Sequence, residues 1–178
     1  KAAMLTHKNL ISYTNGQNAA SDYGKGHTLL LNIPLNHVGG AVMAVIATLN
    51  SGNKLVIMDM FVPEETLQII EKERVTIIGQ VPAQYALELL NPNVEKYDLS
   101  TIQTAIVSSQ PCPSELILAI RQRMGVMPQN AYGLTEVSGA ITFTHPSHGE
   151  EKLKHSVGAP INTIEIAIMD DKFNLLPT

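Results

Sequence analysis

From residue 29 to residue 132 the chain alternates short apolar runs with amphipathic stretches of helical period. Strands alternating with helices predict βαβ units: an α/β fold with a mostly parallel sheet flanked by helices. Residues 29–33, 54–58, 75–78, 104–107 and 126–132 read as strands. Residues 39–49 read as a small-residue helix that closes at Asn50-Ser51-Gly52, with glycine just past the end. Another helix opens at Pro63, followed by Glu64 and Glu65, where the helix dipole favours anions. Residues 82–90 and 113–124 complete the set, the latter with Leu116, Ile117, Ile120 and Met124 in one stripe and Gly125 after it.

Beyond residue 136 the texture changes. Residues 138–144 read as a strand, 142–155 as a polar loop, and 162–169 as a strand with the two-residue period of a half-exposed sheet. Residues 1–155 are therefore expected to form one α/β unit, and residues 156–178 the start of a smaller β-rich subdomain.

Composition narrows the class. With 44% hydrophobic and 16% charged residues the chain is too apolar for disorder. Its 12 Lys+Arg against 16 Asp+Glu, with no basic run, argue against a nucleic-acid partner. The apolar stretch 38–49 carries Gly39, Gly40 and Thr48 and falls short of the roughly 18–20 residues a membrane span needs. Cys112 is the only cysteine, which permits no internal disulfide and fits a reducing compartment such as the cytoplasm. The chain starts at Lys1 rather than methionine and stops just after a strand-like run, so a piece of a longer protein is expected.

In open parallel sheets, ligands bind in the crevice outside the carboxyl ends of the strands. Four strand-following loops carry the unusual residues: 34–40 with His37, 79–82, 108–111 (Ser108-Ser109-Gln110-Pro111) and 132–136. All should open on the same sheet edge, which predicts one crevice. The segment Tyr132-Gly133-Leu134-Thr135-Glu136 carries the most chemistry. An aromatic face can stack on a base, glycine admits close approach, a hydroxyl can donate to phosphate, and a carboxylate can hold Mg²⁺. The same residues also suit a tyrosine packed at a strand end followed by a surface turn.

Asn130-Ala131 followed by Tyr132–Glu136 resembles the Tyr-Gly-x-Thr-Glu motif of the adenylate-forming superfamily, which includes acyl-CoA synthetases and peptide-synthetase adenylation domains. Residues 1–10, Lys1-Ala2-Ala3-Met4-Leu5-Thr6-His7-Lys8-Asn9-Leu10, resemble the tail of that family's phosphate loop. Pro34-Leu35-Asn36-His37-Val38-Gly39-Gly40 resembles its Pro-Leu-Phe-His-x-x-Gly motif, and Val157-Gly158-Ala159-Pro160 its Val-Gly-x-Pro segment. The four occur in the family's order and cover essentially the whole chain.

The resemblance implies part of a large N-terminal domain whose parent activates a fatty or aryl carboxylic acid with ATP and Mg²⁺ and transfers it to coenzyme A. The piece alone is expected to be inactive. Lys1 would act as a mobile charge on the phosphates, Thr135 would bind phosphate, and Glu136 would hold the metal. Ser108, Ser109, Gln110, Pro111, Asn130, Ala131, Tyr132 and Gly133 would surround the nucleotide. His37, Val38, Gly39 and Ala131 would face the acid. The loop 108–111 departs from the family's common Gly-Gly-Ala-Pro, and Asn36 stands where an aromatic is usual. Two readings compete with acid activation and transfer to coenzyme A: an adenylation domain that loads a carrier protein and, of a different class, a non-catalytic nucleotide-binding or scaffolding α/β domain. The sequence does not set the oligomeric state.

Three features invite chemistry and are discounted. His145, His148 and His155 match no zinc spacing. Cys112 lies between two prolines without an evident activating base. Gly24-Lys25-Gly26-His27 lacks the spacing of a P-loop.

Overall fold

The computed structural model describes residues 2–176. Helix α1 (His7–Ala20) is followed by β1 (Thr28–Leu31), then by a π-helical stretch, Gly39–Ile46, that runs into α2 (Ala47–Ser51). Next come β2 (Lys54–Ile57), α3 (Pro63–Glu73), β3 (Ile77–Gln80), α4 (Pro82–Leu89), β4 (Thr104–Ser108) and α5 (Ser114–Met124). The remainder is β5 (Gln129–Leu134), β6 (Gly139–Phe143), α6 (Gly149–His155) and β7 (Ala159–Pro160).

The strands form one sheet in the order β2-β1-β3-β4-β5-β6-β7. Pairing is parallel from β2 to β5 and antiparallel for β6 and β7. Consecutive residues of the inner strands serve opposite faces, so these strands are apolar throughout. Leu30, Ile78, Ala105 and Val107 pack under α3, α4 and α5, with Leu67, Ile70, Tyr85 and Ile120. Leu29, Leu31, Ile77 and Ile106 pack on the other face, with Tyr13, Tyr23, Val42 and Ala44. The chain leaves β1 outward to β2 and returns past it to β3. The strand order therefore reverses between β1 and β3, where open sheets form a crevice.

Local chemistry explains the element ends. Gly52 and Gly125 close α2 and α5 in the left-handed region, and Pro63 and Pro82 open α3 and α4. The wide turn after β1 depends on Gly40, whose Cβ would meet the Pro34 carbonyl oxygen at 2.3 Å. The Gln17 amide donates to the Met43 carbonyl at 2.8 Å, which ties α1 to the π-helical stretch.

Two segments differ from the sequence expectations, and a third, the first helix, lies where the sequence reading set no element. Residues 7–20 form a helix whose Thr6 and Asn9 cap each other reciprocally. Residues 149–155, expected within a polar loop, form α6, with Glu150 and Glu151 in its first turn and Lys152, Lys154 and His155 in its last. Only Leu153 of that helix is buried, so no apolar stripe announces it. Residues 162–169 form no ladder. Their side chains are mostly exposed, and Met169 makes a single bridge to Leu175. Alternation encodes a strand only where a partner strand lies alongside, and among the described residues none does. No helix of the described residues is long and apolar enough to cross a membrane.

Candidate active site

A cavity of about 660 Å³ opens at the carboxyl ends of β1, β3, β4 and β5. One wall is the turn after β1, with His37, Val38 and Gly39; the opposite wall carries Ala131, Gly133, Thr135 and Glu136. The His37 N–H donates to the Pro34 carbonyl at 3.2 Å, and the Gly39 N–H donates to His37 Nδ1 at 3.0 Å. With Nδ1 accepting, the neutral imidazole carries its proton on Nε2 and can donate from there.

The far wall is built by a bulge. The register between β5 and β6 shifts at Tyr132/Gly133, and a Cβ on Gly133 would stand 1.9 Å from the Gly139 carbonyl oxygen. Only glycine fits, and the bulge turns the strand end outward. Residues Thr135–Val137 then make a 3₁₀ turn that closes with Ser138 at φ 74°. Thr135 and Glu136 are exposed on that turn, and among the described residues Glu136 makes no ion pair.

Across the same strand lies a second cavity of about 630 Å³. Tyr132 faces it 51% exposed, opposite Gln110 and Pro111. The two cavities share Ser109, Ala131 and Gly133. The sequence predicts one crevice; the structure has two adjoining ones, because alternate residues of β5 point to opposite sides of the sheet. Tyr132, Asn130, Gln110 and Pro111 fall on the second side, and Ser108, Thr135, Glu136, His37, Val38 and Gly39 on the first. Lys1 lies outside the described residues.

The second cavity has a wall that the sequence reading missed: Leu153, Lys154, Ser156 and Val157, at the end of α6 and just after it. Asn130 fastens it, donating from Nδ2 to the Leu153 carbonyl at 2.5 Å, while Asn130 Oδ1 has no partner. Lys154 is occupied by Glu150 and Glu151 at 2.9 and 2.8 Å. Cys112 also lines this cavity, and burial pushes its thiol up to about 11. A thiol that is protonated at neutral pH is not a ready nucleophile. Ser109, at φ 71°, takes a left-handed conformation uncommon for serine at the junction of the two cavities.

Helix α4 holds the rim from below. Gln84 accepts from the Val81 N–H at 3.1 Å and donates to the Asn32 carbonyl at 3.1 Å, which locks the ends of β1 and β3 together. Gln80 donates to Glu88 Oε1 at 2.5 Å. Glu88 is fully buried, and that burial raises its carboxyl to about 8.

Among the described residues no three His, Cys, Asp or Glu side chains cluster as metal ligands. A cation at Glu136 would therefore take its other ligands from water and from a bound phosphate. That is the habit of Mg²⁺, and the free, exposed carboxylate fits it.

The profile of the AMP-binding enzyme family matches residues 1–178. The chain is 33% identical over 173 residues, 96% of its length, to a Bacillus subtilis protein that carries the name putative acyl-CoA synthetase YngI. It is 30% identical over 160 residues, 90% of its length, to a feruloyl-CoA synthase of Amycolatopsis. It spans about a third of these relatives, 31% and 32% of their lengths. The inhibitor-bound N-terminal domain of FACL13 from Mycobacterium tuberculosis superposes with a TM-score of 0.92 at 25% identity, over 99% of this chain and 44% of that one.

Proposed function

This chain belongs to the AMP-binding enzyme family, and from that premise we propose that its parent protein activates a carboxylic acid with ATP and passes the acyl group to coenzyme A. One observation carries the proposal: His37 and the Thr135-Glu136 pair stand in opposite walls of one cavity, which shares the Ala131–Gly133 edge with the cavity that Tyr132 faces. An organic acid in the first cavity and a nucleotide base in the second would thus meet across a single strand end.

The reaction places an anion against a polyanion. The acid is already ionised near neutral pH, since an unperturbed carboxylate titrates at roughly 4–5, so no general base is required. The carboxylate attacks the α-phosphorus and pyrophosphate leaves; a thiol, losing its proton, later attacks the acyl carbon and AMP leaves. The work of the protein is positioning and charge stabilisation. His37 Nε2–H orients the acid. The Thr135 hydroxyl donates to a phosphate oxygen, and the Tyr132 ring stacks on adenine beside the backbone of 109–111. Ala131, between the two cavities, bounds the acid with a methyl group. Glu136 would hold Mg²⁺, which when bound neutralises phosphate charge. Lys1 would add a mobile positive charge.

Fatty and aryl acids are the substrate classes proposed, supported by the apolar walls Ile33, Val38 and Met43. The test is carboxylate-dependent exchange of labelled pyrophosphate into ATP by the full-length protein. Exchange with a fatty or aryl acid supports the reading, and none with any acid refutes it.

A further inference from the structure

Tyr13 and Gln17 stand one turn apart on α1, both buried, and their polar atoms form a single chain of hydrogen bonds. The Ala140 N–H donates to the Tyr13 hydroxyl at 3.0 Å, the hydroxyl donates to Gln17 Oε1, and Gln17 Nε2 donates to the Met43 carbonyl at 2.8 Å. Every donor points the same way along the chain, so each bond polarises the next. Burial holds the Tyr13 phenol above its ordinary range, which keeps the hydroxyl protonated and able to donate.

The ends of this chain lie in opposite walls of the first cavity. Met43 belongs to the π-helical stretch that opens at Gly39, two residues after His37. Ala140 lies in β6, which follows directly on the turn that carries Thr135 and Glu136. Among the described residues no hydrogen bond joins 39–46 directly to 135–143, so the polar link between these walls runs through α1. The joint is tight: a Cβ on Gly139 would meet the Tyr13 hydroxyl at 2.6 Å and Met43 Cγ at 2.9 Å. Glycine there lets β6, the phenol and the π-helical stretch converge on one point of the cavity lining.

We propose that Tyr13 and Gln17 are positioning residues for acid activation: their hydrogen-bonded chain sets the distance between the wall that holds the acid and the wall that holds the phosphates. The inference rests on the acid-activating reading above. Each wall carries its own binding groups, so each substrate still binds when the chain is cut. Attack on the α-phosphorus is more demanding, because the reacting atoms must come within about 3–3.5 Å, and a misplacement of about 1 Å can cost about a hundredfold. A buttress of this kind acts on kcat rather than on KM.

The test is pyrophosphate exchange by the full-length protein, with acid and ATP varied in turn, in Tyr13→Phe, Gln17→Met and the double variant. Both substitutions keep the packed volume and remove one link. Each should lower kcat by at least about tenfold and leave both KM values within about twofold of the parent. The double variant should be no slower than the worse single one, since one chain is cut only once. Tyr85→Phe is the control: it removes another buried hydroxyl, bonded to the Ile106 carbonyl in the core on the sheet's other face, and should keep the parent kcat. Parent kcat in both single variants, a loss confined to KM, additive losses in the double variant, or an equal loss in Tyr85→Phe overturns the inference. Failure of both single variants to fold overturns it too, by making the pair purely structural. No exchange by the parent protein with any acid overturns the acid-activating reading as well.

Discussion

The Gly39 N–H donates to His37 Nδ1 across 3.0 Å, so the neutral ring presents its proton on Nε2 beside the cavity. On the proposed reading, this donor orients the carboxylate of the acid. His37→Ala should raise KM for the acid by about tenfold and change KM for ATP much less, the loss of one oriented hydrogen bond. Steady-state kinetics with each substrate varied in turn checks the split.

Gly133 and Gly52 make a controlled pair. A Cβ at Gly133 would collide with the Gly139 backbone at 1.9 Å, whereas Gly52, at φ 70°, has open space around it. Gly52→Ala should cost about 1 kcal/mol of left-handed strain. Gly133→Ala should cost about 3 kcal/mol or more, because backbone must move and the bulge opens. Denaturant unfolding of the two variants measures the difference.

Glu88 makes stability depend on pH. Burial raises its folded carboxyl to about 8 from the ordinary 4.5, so the folded state binds the proton more tightly than the unfolded state does. Below about 4.5 this group causes no loss; as pH rises from there to about 8 stability falls progressively, and beyond that the full penalty is present. Glu88→Gln keeps a donor and an acceptor for Gln80 and removes the titration. A series of melting temperatures from pH 5 to 9 should fall for the parent protein and be flatter for the variant.

Tyr132, half exposed over the second cavity, contributes little to the core. Tyr132→Ala should therefore leave the fold intact and raise KM for ATP by about tenfold, while Tyr132→Phe keeps the stacking face and stays near the parent value. Equal effects of both variants would assign the role to the hydroxyl instead.

Much of the sheet was legible because its strands are buried on both faces. The apolar runs at 29–33 and 104–107 correspond to β1 and β4 within a few residues. Helices with apolar stripes and proline starts were equally plain. Helix α6 was not, since one buried residue, Leu153, makes no period, and α1 is stabilised by contacts remote in sequence, such as Gln17 to Met43. The loops that build the site could be read from their positions after strands. Their division between two cavities could not, because it depends on the direction each β5 side chain takes at the bulge.

Glu136 offers the most direct test of the central claim that the two cavities work as one acid-activating site. It is exposed, makes no ion pair among the described residues, and sits on a turn that its removal should not disturb. Carboxylate-dependent exchange of pyrophosphate into ATP should be compared between the full-length protein and Glu136→Ala. The account predicts a loss of at least about tenfold in the variant with an unchanged melting temperature. Exchange at the parent rate in Glu136→Ala would contradict it.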